Sequence, residues 1–330
     1  MGMERTINWA LVGTGTIVRK FLLGLRAAEG ANAAAVVSRT KENADRFAAQ
    51  YGIGKSYASY DDMLNDSAID VVYIGTPHTT HKDYALRALK AKKAVLCEKP
   101  VSINAGELEE MTKTAREMGV FFMEAMWTRF LPALYKVREW ISGGLIGDVR
   151  MVQATFCFNS PWNPEGRLLN INMGGGSLLD AGVYPISLAS MAFGGKKSEG
   201  IRAFLGIGKT GVDEEFAGVI SWGEKRLAQV SSAIFMTAAN DAWIYGTQGR
   251  IHIPGFVFAH CADLIYDGRI PYHYEPDFVS NGYNYQAEEV MRCIREGKLE
   301  SEIMSHGESL NVMKIMDEAR SQWGFKYPGE

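Results

Sequence analysis

Short apolar runs alternate with segments of helical periodicity through the first hundred residues. The run Ile7–Val12 (INWALV) stops at Gly13, and a helical pattern follows through Lys20–Arg26. A second run, Ala33–Val37, ends at Ser38 and Arg39, and Lys41–Tyr51 again reads as helix. Val71–Ile74 ends at Gly75-Thr76-Pro77, helix Asp83–Ala91 follows, and Ala94–Cys97 closes the series. Strands short enough to be buried, alternating with helices of about ten residues, predict an α/β domain with a doubly wound parallel sheet, a Rossmann arrangement. No solenoid repeat and no low-complexity tract interrupts the pattern.

The chain has 330 residues, which suits two domains of roughly 100–200 residues each. With 47% hydrophobic and 22% charged residues, either domain can bury a full core. A formal net charge of −3 and the lack of a dense Lys/Arg block give no footprint for nucleic acid or an anionic membrane. Cys97, Cys157, Cys261 and Cys293 are far apart and form neither a zinc-type pair nor a small disulfide framework, so reduced thiols and no metal site are expected. The N-terminus runs into a strand without an export signal, and no apolar stretch approaches the ~18–20 residues of a membrane span. A cytoplasmic protein is expected.

The glycine motif gains meaning from its position. Gly13 permits a tight turn after a strand, and Gly15 lets the backbone approach a pyrophosphate. The helix that follows offers its N-terminal amides to that anion. Thr14, Thr16 and Ile17 complete the loop; Val18 stands where a third glycine is usual, so helix–strand packing must accommodate a branched side chain. At the end of the second strand an NAD-binding domain normally carries Asp or Glu for the ribose 2′-hydroxyl. Here Ser38-Arg39-Thr40-Lys41 precedes the first carboxylate, Glu42. A guanidinium and a hydroxyl suit a 2′-phosphate, which favours NADP(H) over NAD(H), although Arg39 also reads as a solvated loop residue.

Two further segments carry candidate chemistry. Glu98-Lys99-Pro100 follows a parallel strand, where ligands of this architecture bind. Pro100 restricts Lys99 to an extended backbone, and a cis bond there would aim the side chain sharply. Gly174-Gly175-Gly176 precedes what looks like a helix start, on which Asp180 and Tyr184 share a face. A phenol of pKa about 10 is a poor base near neutrality unless a cation stabilises its phenolate, and Lys99 could be that cation. An exposed loop lysine and a core tyrosine are the plain alternatives.

These residues together resemble the glucose–fructose oxidoreductase/inositol dehydrogenase (Gfo/Idh/MocA) superfamily. The resemblance rests on Gly13-x-Gly15, Thr76-Pro77-His78 with His81, Glu98-Lys99-Pro100 and Asp180-x-Gly182-x-Tyr184, and it runs along the whole chain. Phe122–Phe130, Gly147–Arg150 and Gly174–Asp180 resemble most the dimeric dihydrodiol dehydrogenase and NADP-dependent D-xylose dehydrogenase branch.

The resemblance implies a Rossmann domain over residues 1–123. It also implies an α+β domain over 124–330, whose large, mostly antiparallel open sheet packs on a second subunit as a homodimer. Phe216–Trp222 and Arg226–Phe235 read as strands and Asn284–Glu296 as a helix, compatible with this; the C-terminal helix is expected to pack back near the first domain. By resemblance Lys99 is the catalytic lysine. Tyr184, where inositol dehydrogenase-like members have histidine, is the general acid/base, and Asp180 orients a hydroxyl or a water. Gly13 to Ile17 hold the pyrophosphate, Ser38 and Arg39 the adenosine phosphate, and Thr76, Pro77, His78 and His81 the ribose–nicotinamide side, with Glu98, Trp127 and Arg129 close to the cofactor. Trp127, Phe156 and Trp162 wall the substrate, or are ordinary core aromatics.

The implied reaction is reversible hydride transfer at a carbinol carbon of a small polyol, an aldose or a cyclic trans-dihydrodiol. Reduction of a keto-sugar or anhydro-sugar uses the same residues, and a dinucleotide-binding sensor without catalysis is the reading from another class. The loops over 158–172 and 254–280 shape the pocket and leave the substrate unnamed.

Overall fold

In a computed structural model describing residues 5–330, the first apolar run becomes β1 (Ile7–Val12), buried at five of its six positions. It is followed by α1 (Thr16–Leu25), β2 (Ala31–Val37), α2 (Lys41–Tyr51), β3 (Lys55–Tyr57), α3 (Tyr60–Leu64), β4 (Val71–Ile74), α4 (His81–Lys90), β5 (Ala94–Glu98), α5 (Ala105–Met118) and β6 (Phe122–Ala125). The six strands form one sheet in the order β3-β2-β1-β4-β5-β6, with every pair parallel. The order reverses between β1 and β4, the position where doubly wound sheets open a crevice beyond their strand ends. All of β4 and β5 is buried, as expected of strands covered on both faces.

Helix α1 buries Val18, Phe21, Leu22 and Leu25, a single stripe at helical spacing. Phe21 stacks on Tyr73 of β4, with ring centroids 3.7 Å apart and planes 6° from parallel. The missing third glycine finds its explanation here. A Cβ at Gly75, just beyond β4, would sit 2.6 Å from Val18 Cγ2, so the strand end supplies the room that a glycine in the helix would otherwise give. The edge strand β3 and helix α3 have no counterpart in the hydrophobic pattern, because Lys55-Ser56-Tyr57 is no apolar run. Helix α3 is fixed locally, by a Ser59 hydroxyl that accepts from the Asp62 amide at 3.1 Å.

The chain divides into two compact units. The first runs up to Ser102 and includes Gly106–Trp127 and Phe278–His306; the second comprises Ile103–Ala105, Thr128–Asp277 and Gly307–Glu330. In the second, α6 (Pro132–Ser142) begins on a proline, whose fixed φ suits a first helical turn. Then come β7 (Val149–Cys157), α7 (Val183–Ala192), β8 (Gly200–Ile207), β9 (Asp213–Ser221), β10 (Leu227–Ala233), β11 (Ala242–Gly246), β12 (Arg250–Ile253), β13 (Ala262–Ile265) and β14 (Tyr272–Tyr274). These strands form an eight-stranded sheet in the order β14-β13-β12-β11-β7-β10-β9-β8, antiparallel except for β7 beside β10. All ten residues of α7 are buried, and the helix packs on β7 and β10, so one face of the sheet is the core of this unit.

The other face is open. A cross-strand row runs from Arg202 on β8 through Val219, Gln229, Gln153, Trp243, His252 and Asp263 to His273 on β14. Beside it Phe204 is 73% exposed. The chain returns to the first unit through α8 (Tyr283–Arg295), which packs on α1, and ends with α9 (His306–Ser321) and a short tail in the second. Among the described residues all four cysteines are free thiols, and no helix is long and apolar enough to cross a membrane.

Candidate active site

In the first unit the expected residues gather at the C-terminal edge of the parallel sheet. Gly13 adopts φ +101°, a conformation that disfavours any side chain, and its amide donates to Val37 O at 2.9 Å. Gly15 is the N-cap of α1; its backbone is extended, no side chain caps the helix, and the first turn holds no acidic residue. The leading amides therefore face an approaching anion with no competing carboxylate. At the end of β2, Ser38 is half-buried and Arg39 exposed, while Glu42 lies in the first turn of α2.

Beyond β4 and β5, buried side chains tie the two strand ends together. Thr80 Oγ1 donates to Thr76 Oγ1 at 2.8 Å, and Pro77 lies exposed between Thr76 and the buried His78. His81 is fully buried, with Nε2 2.9 Å from Thr76 O and Nδ1 3.0 Å from Pro100 O. Burial drives its pKa down to about 4, against the pull of those carbonyls and helped by the charge of Lys99. The imidazole is thus neutral, and with a single N–H it lies between the two turns but donates to only one of the two carbonyls. Tyr73 Oη donates to Glu98 Oε1 at 2.6 Å, and Glu98 Oε2 accepts from the Lys99 amide at 3.2 Å. Burial and the adjacent Glu98 carboxylate raise the Tyr73 phenol well above its ordinary value. Lys99 is half-buried and precedes a cis peptide bond to Pro100. Trp127 is buried and stacks on Tyr283 at 4.6 Å and 8°.

In the second unit, Leu178–Gly182 forms a π-helical turn that runs directly into α7, so the expected helix start carries one wide turn at its head. Such turns are rare and concentrate at functional sites. Asp180 lies in the turn, and both its carboxylate oxygens accept from the Arg167 guanidinium, at 2.8 and 3.2 Å. Tyr184 is 8% exposed in the first turn of α7, and Phe156 meets it edge-on at 5.4 Å and 83°. Phe158, Phe256 and Phe258 surround Phe156 in turn. Trp162 packs instead on Phe235 at 5.8 Å and is half-exposed. Arg129 is buried: its Nε donates to Ser187 Oγ at 2.9 Å and its guanidinium pairs with Glu308, so it braces α7 against α9. No cluster of metal-ligating side chains occurs among the described residues.

Comparison with known proteins matches residues 7–126 to the family model described as "Oxidoreductase family, NAD-binding Rossmann fold" and residues 134–252 to the GFO/IDH/MocA C-terminal domain. The trans-1,2-dihydrobenzene-1,2-diol dehydrogenase of Xenopus laevis is 37% identical, over 97% of this chain and 99% of that one. The chain belongs to the Gfo/Idh/MocA family. Two solved structures share its fold. One is a 3-ketoreductase from Actinomadura kijaniata in complex with NADP and TDP-benzene (TM-score 0.83, 24% identity, 96% of this chain and 98% of that one). The other is a levoglucosan dehydrogenase in complex with NADH and levoglucosan (TM-score 0.87, 20% identity, 99% and 100%). This member of the Gfo/Idh/MocA family is accordingly an NAD(P)-dependent oxidoreductase.

Several of these contacts leave no mark in the sequence. Arg167 lies in an irregular loop 13 positions before Asp180, with no periodicity to announce it. Tyr283 and the Phe256–Phe258 turn reach their partners only through tertiary packing. The buried pair Tyr73–Glu98 joins two strands 25 residues apart, a separation that no local pattern encodes.

The His81 environment has a measurable consequence. Its folded pKa of about 4 lies below the ordinary 6.5, so the unfolded chain takes up a proton first as pH falls. The stability that neutral His81 contributes is therefore complete above pH 6.5 and lost towards pH 4, by roughly 3 kcal/mol at 1.36 kcal/mol per unit. Urea unfolding of wild type and His81→Gln at pH 7 and 4.5 should show a clearly shallower loss in the variant. Parallel losses in the two proteins would remove His81 from the acid limb.

Proposed function

We propose that this protein is an NADP(H)-dependent oxidoreductase of small polyols, acting at a carbinol carbon of an aldose or a cyclic trans-dihydrodiol, with the N-terminal domain holding the dinucleotide and the C-terminal domain the substrate. The observation that carries the reading is a tyrosine at the head of a buried helix, packed edge-on against Phe156 one turn after a paired carboxylate. The name of the amphibian relative points to the same chemistry.

The cradle fits a dinucleotide: Gly13 and Gly15 leave no side chain in its way, and the first turn of α1 is uncapped and free of acid. Its nicotinamide supplies a hydride acceptor or donor when bound. Gly13 to Ile17 hold the pyrophosphate, and Ser38 with Arg39 hold the 2′-phosphate, where a carboxylate would repel it. Thr76 to His78 and Glu98 line the ribose–nicotinamide side, with His81 packed between the two turns. Tyr184 takes the hydroxyl proton as oxidation proceeds and returns it in the reverse direction. Lys99 is the cation that stabilises negative charge on the reacting oxygen. Positioning contributes about 7–11 kcal/mol to such a reaction, and general acid–base help about 10²–10⁴-fold. Asp180, fixed by Arg167, orients the polyol, and Phe156 and Trp127 offer aromatic faces to sugar C–H groups or a diene ring.

We further assign the open face of the second sheet to a homodimer. Phe204 and Val219 leave apolar surface exposed there, and a paired row of polar and aromatic side chains crosses every strand. The free thiols agree with a cytoplasmic, reducing environment.

Nicotinamide absorbance measured with NADP⁺ and NAD⁺ against aldoses, dihydrodiols and keto-sugars tests the activity. Tyr184→Phe should lose roughly 10²–10³-fold in kcat while NADP⁺ binding stays within about twofold. A variant that keeps its rate removes Tyr184 from proton transfer. Arg39→Asp should weaken NADP⁺ by about 10–100-fold and leave NAD⁺ little changed, since a carboxylate there repels the 2′-phosphate and accepts from a 2′-hydroxyl. Equal effects on both cofactors would return Arg39 to the solvated surface. Sedimentation should show Phe204→Glu shifted from dimer to monomer, and a wild-type monomer would dismiss the interface.

A further inference from the structure

The glycine segment ahead of the Tyr184 helix is held at three positions by side chains from three different parts of the second unit. Gly175 O accepts from Tyr327 Oη of the C-terminal tail at 2.6 Å. Ser177 Oγ lies 2.7 Å from Ser232 Oγ on β10. Leu178 N, the first amide of the π turn, donates to Asp213 Oδ2 at 2.6 Å from the start of β9. Between them Gly176 has φ +121°, and a Cβ there would run into Asp213 Oδ1. The carboxylate has come so close to the chain that only glycine fits.

Asp213 is an expensive residue for a structural role. It is completely buried, and Oδ1 has no hydrogen-bond partner among the described residues. A buried polar atom left unmet is unfavourable, and where one persists a function for it is to be sought. Ser177, the N-cap of the turn, makes no side-chain cap of its own, so Asp213 reaches in from another strand to do so.

We propose that Asp213 is a positioning residue for the reaction: through the Leu178 amide it fixes the π turn that presents Asp180 and Tyr184, and loss or gain of its proton tightens or loosens that hold. The proposal rests on the roles assigned above to Tyr184 and Asp180. Burial pushes the Asp213 pKa up to about 7, against the opposing effect of the Leu178 and Ser177 amides and the Arg320 charge. The other groups in this surround are Tyr327 and Glu330 from the tail and Asp180 from the turn; Arg320 of α9 is itself engaged by Asp317 and Glu330. Above pH 7 the Leu178 N–H meets a carboxylate, and a charge-assisted bond is about twice as strong as a neutral one. Below pH 7 the acceptor is a neutral acid and the turn is held less firmly.

The sign for stability is opposite. A folded pKa of about 7 against an ordinary 3.8 means that ionising Asp213 disfavours the native state, so stability falls as pH rises from 4 to 7. Asp213→Asn keeps a carbonyl for the Leu178 amide and cannot ionise. It should be at least as stable as wild type at pH 8 and yet slower, whereas a residue retained only for stability would give a less stable variant with an unchanged rate.

The test uses the full chain. Amide exchange of peptides covering 175–184, corrected for intrinsic rate, should show protection rising by roughly threefold to tenfold from pH 6 to 8 in wild type and staying flat in Asp213→Asn. With a substrate in hand, kcat of wild type should step up through pH 7. Asp213→Asn should lose that step and run about tenfold slower at pH 8, with KM and NADP⁺ affinity within twofold. Tyr327→Phe, which removes the grip on Gly175 without touching a charge, should lower kcat and retain the step. Wild-type protection that does not change between pH 6 and 8, or an Asp213→Asn enzyme with the wild-type rate profile, would overturn the proposal. If wild type turns over nothing, the polyol reading fails, and the exchange arm still decides whether Asp213 controls the turn.

Discussion

A buried hydroxyl that has to find a partner organises the C-terminal edge of the parallel sheet in the first unit. Tyr73 is pinned in β4 by its stack on Phe21, and it cannot turn its phenol towards water. Leaving such a group unmet costs about 1–3 kcal/mol, so the O–H donates to Glu98 across the neighbouring strand. The second oxygen of Glu98 then takes the Lys99 amide, which sets where the lysine leaves the sheet. His81, packed between Thr76 O and Pro100 O and donating to one of them, fills the space between the two turns. Packing of one helix on one strand thereby dictates the location of a charge three links away.

In the second unit the same economy of partners acts on a helix start rather than a strand end. A π turn sacrifices regular hydrogen bonding for one additional residue, and isolated it would relax to α-helix. Here Tyr327, Ser232 and Asp213 hold the preceding backbone, while Arg167 takes the only carboxylate of the turn. Below it, Arg129 binds both the hydroxyl and the carbonyl of Ser187, so α7 is fixed one turn further along as well. The helix bearing Tyr184 is consequently fixed by polar contacts at its head and by apolar packing along its body.

Legibility in the sequence follows from how local each determinant is. Strands β1, β4 and β5 and helix α2 are apparent because buried parallel strands are continuous apolar runs and α2 repeats at helical spacing. The motifs that mark the family are equally legible, since each is a short contiguous stretch, and Gly13, at φ +101°, is a glycine its turn requires. Strand β3 is invisible because its pairing with β2, not its composition, makes it a strand. The room that Val18 requires comes from Gly75, nearly sixty residues on. Arg167, Tyr283 and Asp213 share that character: their significance lies entirely in a partner distant along the chain.

The distribution of carboxylates in the first unit adds a constraint that no single motif conveys. A dinucleotide brings several negative charges to the ends of β1 and β2, and any uncompensated acid there would oppose it. The chain has 38 acidic residues, yet the first turn of α1 and the end of β2 carry none. The acid that does stand at a neighbouring strand end, Glu98, is engaged by a phenol and an amide. On the reading proposed above, the leading amides of α1 and the guanidinium of Arg39 would meet those charges. The first would recognise phosphate in any dinucleotide, and only the second would distinguish one that carries a further phosphate from one that does not.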